Sequence, residues 1–289
     1  MSAYPRGFLP DLRQLRPWPS LKDSLWRSPD LVRLTYGELC RIVQTCIGPQ
    51  PRSVLYVGPG LGHTALELAR AGHDVTGVDV DEESVTLAKR AAAKDPFRNE
   101  RGALSYDVVE FPDGYGGGRP FDCVLFSRVL HHIDDPSAAV AKAAELLGPG
   151  GHVVCVEFAH DRLGAAGALW MARARKWLSR SGWWRDRASG SPEEEAERIA
   201  REWRADHEDE GLHPLRAMLD PLRAKFRLQG LTWHPYLFWE LAAEMRARPD
   251  NEGAIASRLR GQEAALLRER RLRGVLFSTI GRKQSAAGS

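Results

Sequence analysis

Short apolar runs alternate with segments of helical periodicity through the middle of the chain. Apolar runs bounded by turn residues predict strands at 54–57, 75–79, 103–109, 121–126 and 152–158. The clearest helical segment between them, 136–147, stops at the Gly-Pro-Gly-Gly turn of residues 148–151. This alternation predicts an α/β fold with a doubly wound parallel sheet and right-handed crossovers.

The segments that flank this core, residues 51–159, are mostly helical in pattern. Residues 1–50 form a helical prelude, and residues 160–222 form an inserted helical segment in which Ser191 and Glu194 predict a capping box. Residues 223–283 complete the sheet with strands at 225–233 and 275–280, separated by helices at 238–248 and at 254–273, the second of which Gly274 ends. The small, polar residues 284–289 are predicted to be disordered.

Composition and charge give no indication of a nucleic-acid, membrane or metal partner. The chain has 289 residues, 43% of them hydrophobic, and 41 Lys and Arg against 38 Asp and Glu, so a nucleic-acid surface is not required. Residues 1–10 lack the apolar stretch of a signal peptide, and no run reaches transmembrane length, which predicts a cytoplasmic protein without a membrane partner. The four cysteines lack zinc-ligand spacing, so no metal is expected. The excess of arginine is typical of a GC-rich bacterial genome.

The strongest chemical signal follows the first predicted strand. Gly58, Gly60 and Gly62 alternate there with Pro59 and Leu61, and a helical pattern begins directly afterwards. Glycine permits positive φ and close approach of a ligand to the backbone, while free N–H groups at a helix start favour a polar or anionic ligand. The loop therefore predicts a nucleotide-like cofactor at the carboxyl end of the first strand. By itself this G-x-G-x-G spacing is only moderately specific.

Four more motifs make the signal specific, and with them residues 50–160 resemble the class I S-adenosylmethionine-dependent methyltransferases. Asp79 ends the second strand, Asp107 closes the third, the fourth leads into Leu130-His131-His132, and the Gly-Pro-Gly-Gly turn precedes the fifth. The resemblance implies a Rossmann-like, seven-stranded sheet. It also implies that the N-terminal prelude and the inserted helices form a lid over an acceptor.

The same resemblance assigns the cofactor residues. It implies that Gly58, Pro59, Gly60 and Gly62 surround the methionine part of S-adenosylmethionine. Asp79 would accept the ribose hydroxyls, or else cap the next helix, and Val80 would pack on the adenine. Asp107 and Val108 would lie at the adenine amine, although Asp107 is also a plausible turn residue. Ser127 would line the cofactor after the fourth strand.

Candidate acceptor-side residues follow the fourth and fifth strands. Glu157 is the leading candidate for a general base or for orienting a substrate amine or hydroxyl, with a salt bridge to Arg128 or Arg162 as the alternative. His131 and His207 are further catalytic candidates. Arg128 is a candidate for binding a substrate carboxylate, or equally for pairing with an acid. His213 and Tyr236 complete the predicted substrate-binding residues.

Three functions remain open at this point. The first is a small-molecule methyltransferase, such as one that tailors a secondary metabolite. All nine tryptophans lie in the prelude, the insertion and the C-terminal segment, which favours an apolar or aromatic acceptor. The alternatives are an RNA or protein methyltransferase, and a protein that binds S-adenosylmethionine without methyl transfer. A nucleic-acid partner is not expected, and the protein is predicted to be a monomer or a homodimer.

Overall fold

An eight-stranded sheet forms the centre of the computed structural model, which describes residues 24–50, 52–95, 102–184 and 190–283. The order across it is β3-β2-β1-β4-β5-β8-β6, with β7 also paired to β8. Strands β1 to β5 are parallel, and β8 is antiparallel to β5, β6 and β7. The strands are β1 (Ser53–Val57), β2 (Asp74–Asp79), β3 (Leu104–Val108), β4 (Phe121–Ser127), β5 (Leu147–Phe158), β6 (Phe226–Leu228), β7 (Thr232–His234) and β8 (Leu276–Lys283).

The predicted α/β fold class is confirmed, but the predicted number of seven strands was wrong. The sixth predicted strand, 225–233, is two short strands, β6 and β7. Gly230 between them has a φ of 102°, which breaks an extended run. As a result β6 pairs near the end of β8 and β7 pairs near its start.

Helices cover both faces of the sheet. A π-helical stretch, Arg33–Gly37, joins the first two of them. The capping box at Ser191 and Glu194 is confirmed. The prediction that the last helix runs to Gly274 was wrong, since it ends at Arg268 and Arg270 takes a φ of 57°. The helices are α1 (Pro29–Val32), α2 (Glu38–Ile47), α3 (His63–Arg70), α4 (Glu82–Ala93), α5 (Pro136–Leu146), α6 (Ala165–Arg180), α7 (Pro192–Asp209), α8 (Leu215–Lys225), α9 (Leu237–Glu244) and α10 (Pro249–Arg268).

Side chains alternate between two cores because successive strand residues point to opposite faces. In β4, Cys123 and Leu125 join the core beneath α2, α3, α6 and α9, while Val124 and Phe126 join the core beneath α5 and α8. The parallel strands are buried on both faces, which explains their continuous apolar sequences.

The topology places the predicted site residues along one edge. Strands β1, β2, β3, β4 and β5 run parallel, so their carboxyl ends meet there, and Val57 of β1 lies opposite both Val78 and Phe126. Ligands of open α/β sheets bind at this edge. Helices from residues 25–47 and 165–259 pack in the same core as the sheet, and the proposed lid boundaries stay predictions. The predicted disordered tail, 284–289, lies outside the described residues.

Candidate active site

The loop between β1 and α3 holds its three alternating glycines in left-handed conformations. φ is 68° at Gly58, 52° at Gly60 and 77° at Gly62. A Cβ on Gly58 would lie 2.3 Å from Cγ2 of Val129, and one on Gly62 would lie 2.5 Å from the hydroxyl of Tyr106. A Cβ on Gly60 would meet nothing within 4 Å. Two of the glycines therefore permit tight packing, and Gly60 leaves the loop open to a ligand.

Asp79 ends β2 beside this loop, and each of its carboxylate oxygens accepts a backbone hydrogen bond. Oδ2 accepts from the N–H of Gly60 at 2.8 Å, and Oδ1 accepts from that of Asp81 at 3.0 Å. The residue that caps α4 is Asp81, whose side chain accepts from the N–H groups of Glu83 and Ser84. Asp79 is therefore not the residue that caps this helix. Its position at the glycine loop is compatible with the predicted role of binding a ribose.

A cleft of about 460 Å³ opens beside Asp79. Val80 lines this cleft and is 70% exposed. Val108 at the end of β3 is 50% exposed but is not among the lining residues, so its predicted place at the adenine stays a prediction. Ligand pockets are largely apolar with a few placed polar groups, and an exposed valine beside a fixed carboxylate has that character. The lining also includes Gly58, Val78, Val109, Glu110, Phe111, Pro112, Asp113, Val129, His132 and Ile133.

Asp107 lies on β3 with an exposed side chain and is not among the residues that line the cleft. The acids that do line it after β3 are Glu110 and Asp113, together with Phe111. Sequence reasoning missed these residues, although their position just past a strand end was a usable signal. The role of Asp107 at the adenine amine stays a prediction.

Pro59 and Ser127 are buried beneath the cleft edge. The carbonyl of Pro59 accepts a hydrogen bond from the N–H of Gly62 at 3.0 Å, which closes the glycine turn. The hydroxyl of Ser127 at the end of β4 lies beside that of Tyr56, and burial raises the pKa of Tyr56. Both residues are buried and neither is among the residues that line the cleft. A direct contact of either residue with the cofactor stays a prediction.

Glu157 on β5 is fully buried and accepts three hydrogen bonds. Its Oε1 accepts from the N–H of Val129 at 3.0 Å and of Leu130 at 2.9 Å, and its Oε2 lies 2.6 Å from Nδ1 of His131. Burial raises the pKa of Glu157, but the neighbouring His131 and the two N–H groups outweigh burial and lower it. The carboxylate is therefore ionised and orients the imidazole.

The ion-pair partner of Glu157 differs from the two that the sequence suggested, while its role as a general base or in orienting an acceptor stays a prediction. Its partner is His131, not Arg128 or Arg162. The guanidinium of Arg162 donates to the carbonyl of Gly274 at 3.0 Å instead and lies 4.1 Å from the ring centroid of Trp233. The oxygens of Glu157 that accept these hydrogen bonds face Val129, Leu130 and His131, and the catalytic roles of Glu157 and His131 stay predictions.

Arg128 directly follows β4 and has a φ of 57°, an uncommon conformation for a residue with a Cβ. Its N–H donates to the carbonyl of Val156 at 2.9 Å. Its guanidinium lies 5.5 Å from the ring centroid of Trp239, and the side chain of Tyr36 is a further neighbour. Burial lowers the pKa of Arg128, but Tyr236, Tyr36 and Glu157 raise it overall, so the side chain is a cation.

Phe158, at the end of β5, brings most of the other predicted residues together. Its ring centroid lies 4.9 Å from that of Tyr236, 5.2 Å from that of His207 and 5.9 Å from that of His131. His213 joins this group through its backbone, whose N–H donates to the carbonyl of His131 at 2.9 Å. The predicted acceptor-side residues thus converge around one aromatic ring that the sequence analysis did not single out.

The start of α9, which carries Tyr236 and Trp239 to this site, is held by Glu263 from α10. The Glu263 carboxylate accepts from three successive backbone N–H groups, at 2.8, 3.0 and 2.9 Å for Tyr236, Leu237 and Phe238. Burial raises the pKa of Glu263 to about 7. No sequence signal marks this residue, because it lies in a helix that looks ordinary in pattern.

Two further observations concern the part of the chain that the structure describes. No three or more His, Cys, Asp or Glu side chains converge there in a way that could hold a metal ion. Within the same residues, the helices are too short or too polar to cross a bilayer.

Sequence comparisons place this geometry in a known context. Residues 32–214 match a family model described as a methyltransferase domain. A demethylmenaquinone methyltransferase of Tropheryma whipplei (strain Twist) is 29% identical over 142 residues, 49% of this chain and 52% of that protein. A ubiquinone biosynthesis O-methyltransferase of Pectobacterium carotovorum subsp. carotovorum (strain PC1) is 35% identical over 125 residues, 43% of this chain and 50% of that protein. The chain thus spans about half the length of these curated relatives.

Solved structures share the fold. Geranyl diphosphate C-methyltransferase from Streptomyces coelicolor A3(2), solved with S-adenosyl-L-homocysteine, has a TM-score of 0.53 at 13% identity, over 90% of this chain and 81% of that one. The [4+2]-cyclase SpnF has a TM-score of 0.50 at 19% identity, over 91% of this chain and 83% of that one. At these identities the likeness concerns the fold alone, which does not decide the reaction.

Proposed function

The chain belongs to the family of class I S-adenosylmethionine-dependent methyltransferases, and we propose that it methylates a small-molecule acceptor over the carboxyl ends of β4 and β5. The predicted family, fold class and cofactor are thereby confirmed. The observation that carries the proposal is the Asp79 carboxylate, fixed at the open glycine loop and beside the cleft.

The residues at this edge fit S-adenosylmethionine. The carboxylate of Asp79 is able to accept hydrogen bonds from two ribose hydroxyls, and Val80 offers an exposed apolar surface to a purine. Gly60 leaves space at the loop. When bound, the cofactor supplies a sulfonium-activated methyl group for displacement, and the protein supplies alignment and exclusion of water.

His131 and Glu157 supply the proton chemistry in this proposal. Since Glu157 is an ionised acceptor, Nδ1 of His131 carries the hydrogen between them, and Nε2 remains able to accept a proton from an acceptor hydroxyl or amine. Glu157 also stabilises the imidazolium that forms. In this arrangement Glu157 positions the base and does not touch the acceptor.

The relatives suggest where an acceptor search begins. The two curated relatives described above are named for menaquinone and ubiquinone biosynthesis. The aromatic surroundings of Phe158 suit a ring-shaped acceptor. We therefore expect phenols and quinols to be the most productive acceptors. Secondary metabolism, a bacterial source and a cytoplasmic location stay predictions.

The first test is calorimetric titration of S-adenosylhomocysteine into wild type, Asp79→Asn and the control Asp220→Asn. Asp220 lies on α8 and pairs with Arg216, away from the cleft. Loss of one charged hydrogen-bonding partner should weaken binding about 10- to 100-fold in Asp79→Asn only. Mass spectrometry of phenols and quinols incubated with S-adenosylmethionine then tests transfer. Binding without any methylated product would favour a non-transferring protein of the same fold and contradict the proposal.

A further inference from the structure

Arg128 is a cation without an ion-pair partner in the described part of the chain. In the part of the chain that the structure describes, no acidic oxygen lies within 4.0 Å of its guanidinium. Glu157, the acid on the next strand, already accepts from three donors. A desolvated cation without a partner is costly, so its retention points to a ligand that supplies the missing charge.

Glu240 on α9 does not form an ion pair with Arg128 among the described residues, since no oxygen of Glu240 lies within 4.0 Å of the guanidinium. Burial raises the pKa of Glu240, and the positive charge of Arg128 opposes that rise. Arg128 therefore faces two tyrosines and an indole, with Glu240 beyond ion-pair distance.

The backbone around Arg128 shows two uncommon conformations. Arg128 itself has a φ of 57°, and its neighbour Tyr36 lies in the π-helical stretch Arg33–Gly37. Strained backbone and π-helical turns concentrate at functional sites. The two neighbouring side chains therefore both come from backbone of a kind that functional sites favour.

The position of Arg128 indicates which ligand it meets. The cleft, the glycine loop and Asp79 lie on the β1–β2 side of β4, whereas the neighbours of Arg128 are Tyr236 and Trp239 at the start of α9 and Glu157 from β5. These neighbours are on the acceptor side of the site. A single guanidinium balances one negative charge and matches a carboxylate in bidentate geometry.

We propose that Arg128 and Tyr36 form a binding site for a carboxylate carried by the acceptor, so that the acceptor is an aromatic or apolar carboxylic acid. The aromatic rings of Trp239 and Tyr236 lie beside this site. This inference rests on the proposed function, whose acceptor it specifies.

The experiment uses the complex with saturating S-adenosylhomocysteine and measures binding of benzoate, 4-hydroxybenzoate and cinnamate against their amides. The variants are Arg128→Met, which keeps a Cβ at the strained position, Arg128→Lys and Tyr36→Phe. Arg216→Met, an exposed arginine on α8, is the matched control. We expect at least one acid to bind wild type and the control about tenfold or more tightly than its amide. Arg128→Met should abolish that preference, and Arg128→Lys should retain part of it.

Three outcomes would overturn the inference. One is that no acid binds more tightly than its amide, and another is that the preference persists in Arg128→Met. The third is that Arg128→Met weakens S-adenosylhomocysteine but not 5′-methylthioadenosine, which lacks the amino-acid carboxylate, because Arg128 would then serve the cofactor. If wild type fails to bind S-adenosylhomocysteine at all, the proposed function fails instead, so the two failures are distinguishable.

Discussion

Replacing Glu157 with glutamine isolates the charge of the buried carboxylate that holds His131. Glutamine has nearly the same shape, and its carbonyl oxygen is still able to accept from the N–H groups of Val129 and Leu130. Its amide nitrogen, however, donates to Nδ1 of His131 and therefore imposes the other imidazole tautomer. The substitution leaves the packing in place, removes the negative charge and reverses the direction of the hydrogen bond to Nδ1 of His131.

The expected cost follows from the three hydrogen bonds. Two backbone bonds change from a charged to a neutral acceptor, and the 2.6 Å contact to Nδ1 of His131 loses its charge assistance. A bond to a charged group contributes about 1.5–3 kcal/mol and a neutral one about 0.5–1.5 kcal/mol. We therefore expect Glu157→Gln to lower the free energy of unfolding by about 1–3 kcal/mol at neutral pH.

The stabilisation by the Glu157 carboxylate should depend on pH. The pKa of Glu157 is lowered in the folded state from its ordinary 4.5, so its contribution is present above pH 4.5 and is lost as the pH falls toward the folded value. Urea unfolding at a series of pH values should show the gap between wild type and Glu157→Gln shrinking below about pH 4.5. Glu145→Gln, an exposed position on α5, is the control and should leave stability unchanged.

The same variants test the proposed chemistry. With an acceptor in hand, Glu157→Gln should lower kcat more than it weakens S-adenosylhomocysteine binding, because Nε2 of His131 would carry a hydrogen in the imposed tautomer. The imidazole nitrogen resonances of His131 should report the change of tautomer directly. A stability gap below 0.5 kcal/mol at pH 7, or one that does not depend on pH, would refute this account of the buried carboxylate.

Two further predictions concern Glu263, which holds the start of α9, and the glycine loop. Glu263→Gln should lower the unfolding free energy by about 1–3 kcal/mol, because its amide nitrogen would face the N–H of Phe238. Burial raises the pKa of Glu263 from 4.5 to about 7, so the free energy of unfolding of wild type should decrease as the pH rises from 4.5 to 7. Urea unfolding of Glu263→Gln should show a smaller decrease over the same pH range. Gly58→Ala should both destabilise the fold and abolish S-adenosylhomocysteine binding, because its Cβ meets Val129. Gly60→Ala should cost only about 1–2 kcal/mol in thermal unfolding while still weakening the ligand, and equal effects of the two alanines would contradict this.

The cofactor side of the site could be predicted from the sequence because its signals are local. The glycine loop, Asp79 and Val80 lie within about two dozen residues, and each acts at the end of the strand that precedes it. Strand patterns and the Ser191 capping box were readable for the same reason. The family resemblance added the order of the elements, which local patterns alone leave open.

The acceptor side could not be predicted in the same way, because its contacts join distant parts of the chain. Glu157 meets His131 from another strand, and Glu263 holds a helix start more than two dozen residues away. In sequence, a glutamate that exchanges a proton with a substrate cannot be distinguished from one whose carboxylate accepts hydrogen bonds from the protein itself. The eighth strand was missed for a related reason, since Gly230 breaks a run that remains apolar enough to look continuous.

The segment after β4 connects the two sides of the site. Val129 fills the space that Gly58 leaves open, and its N–H, with that of Leu130, is held by Glu157. Arg128 and His131 project from the same short turn toward the acceptor side. Because one buried carboxylate fixes this turn, the place of Val129 beside Gly58 and the orientation of His131 depend on the same three hydrogen bonds. Disturbing Glu157 should therefore lower kcat strongly and weaken cofactor binding to a smaller degree, whereas disturbing Asp79 should weaken cofactor binding alone.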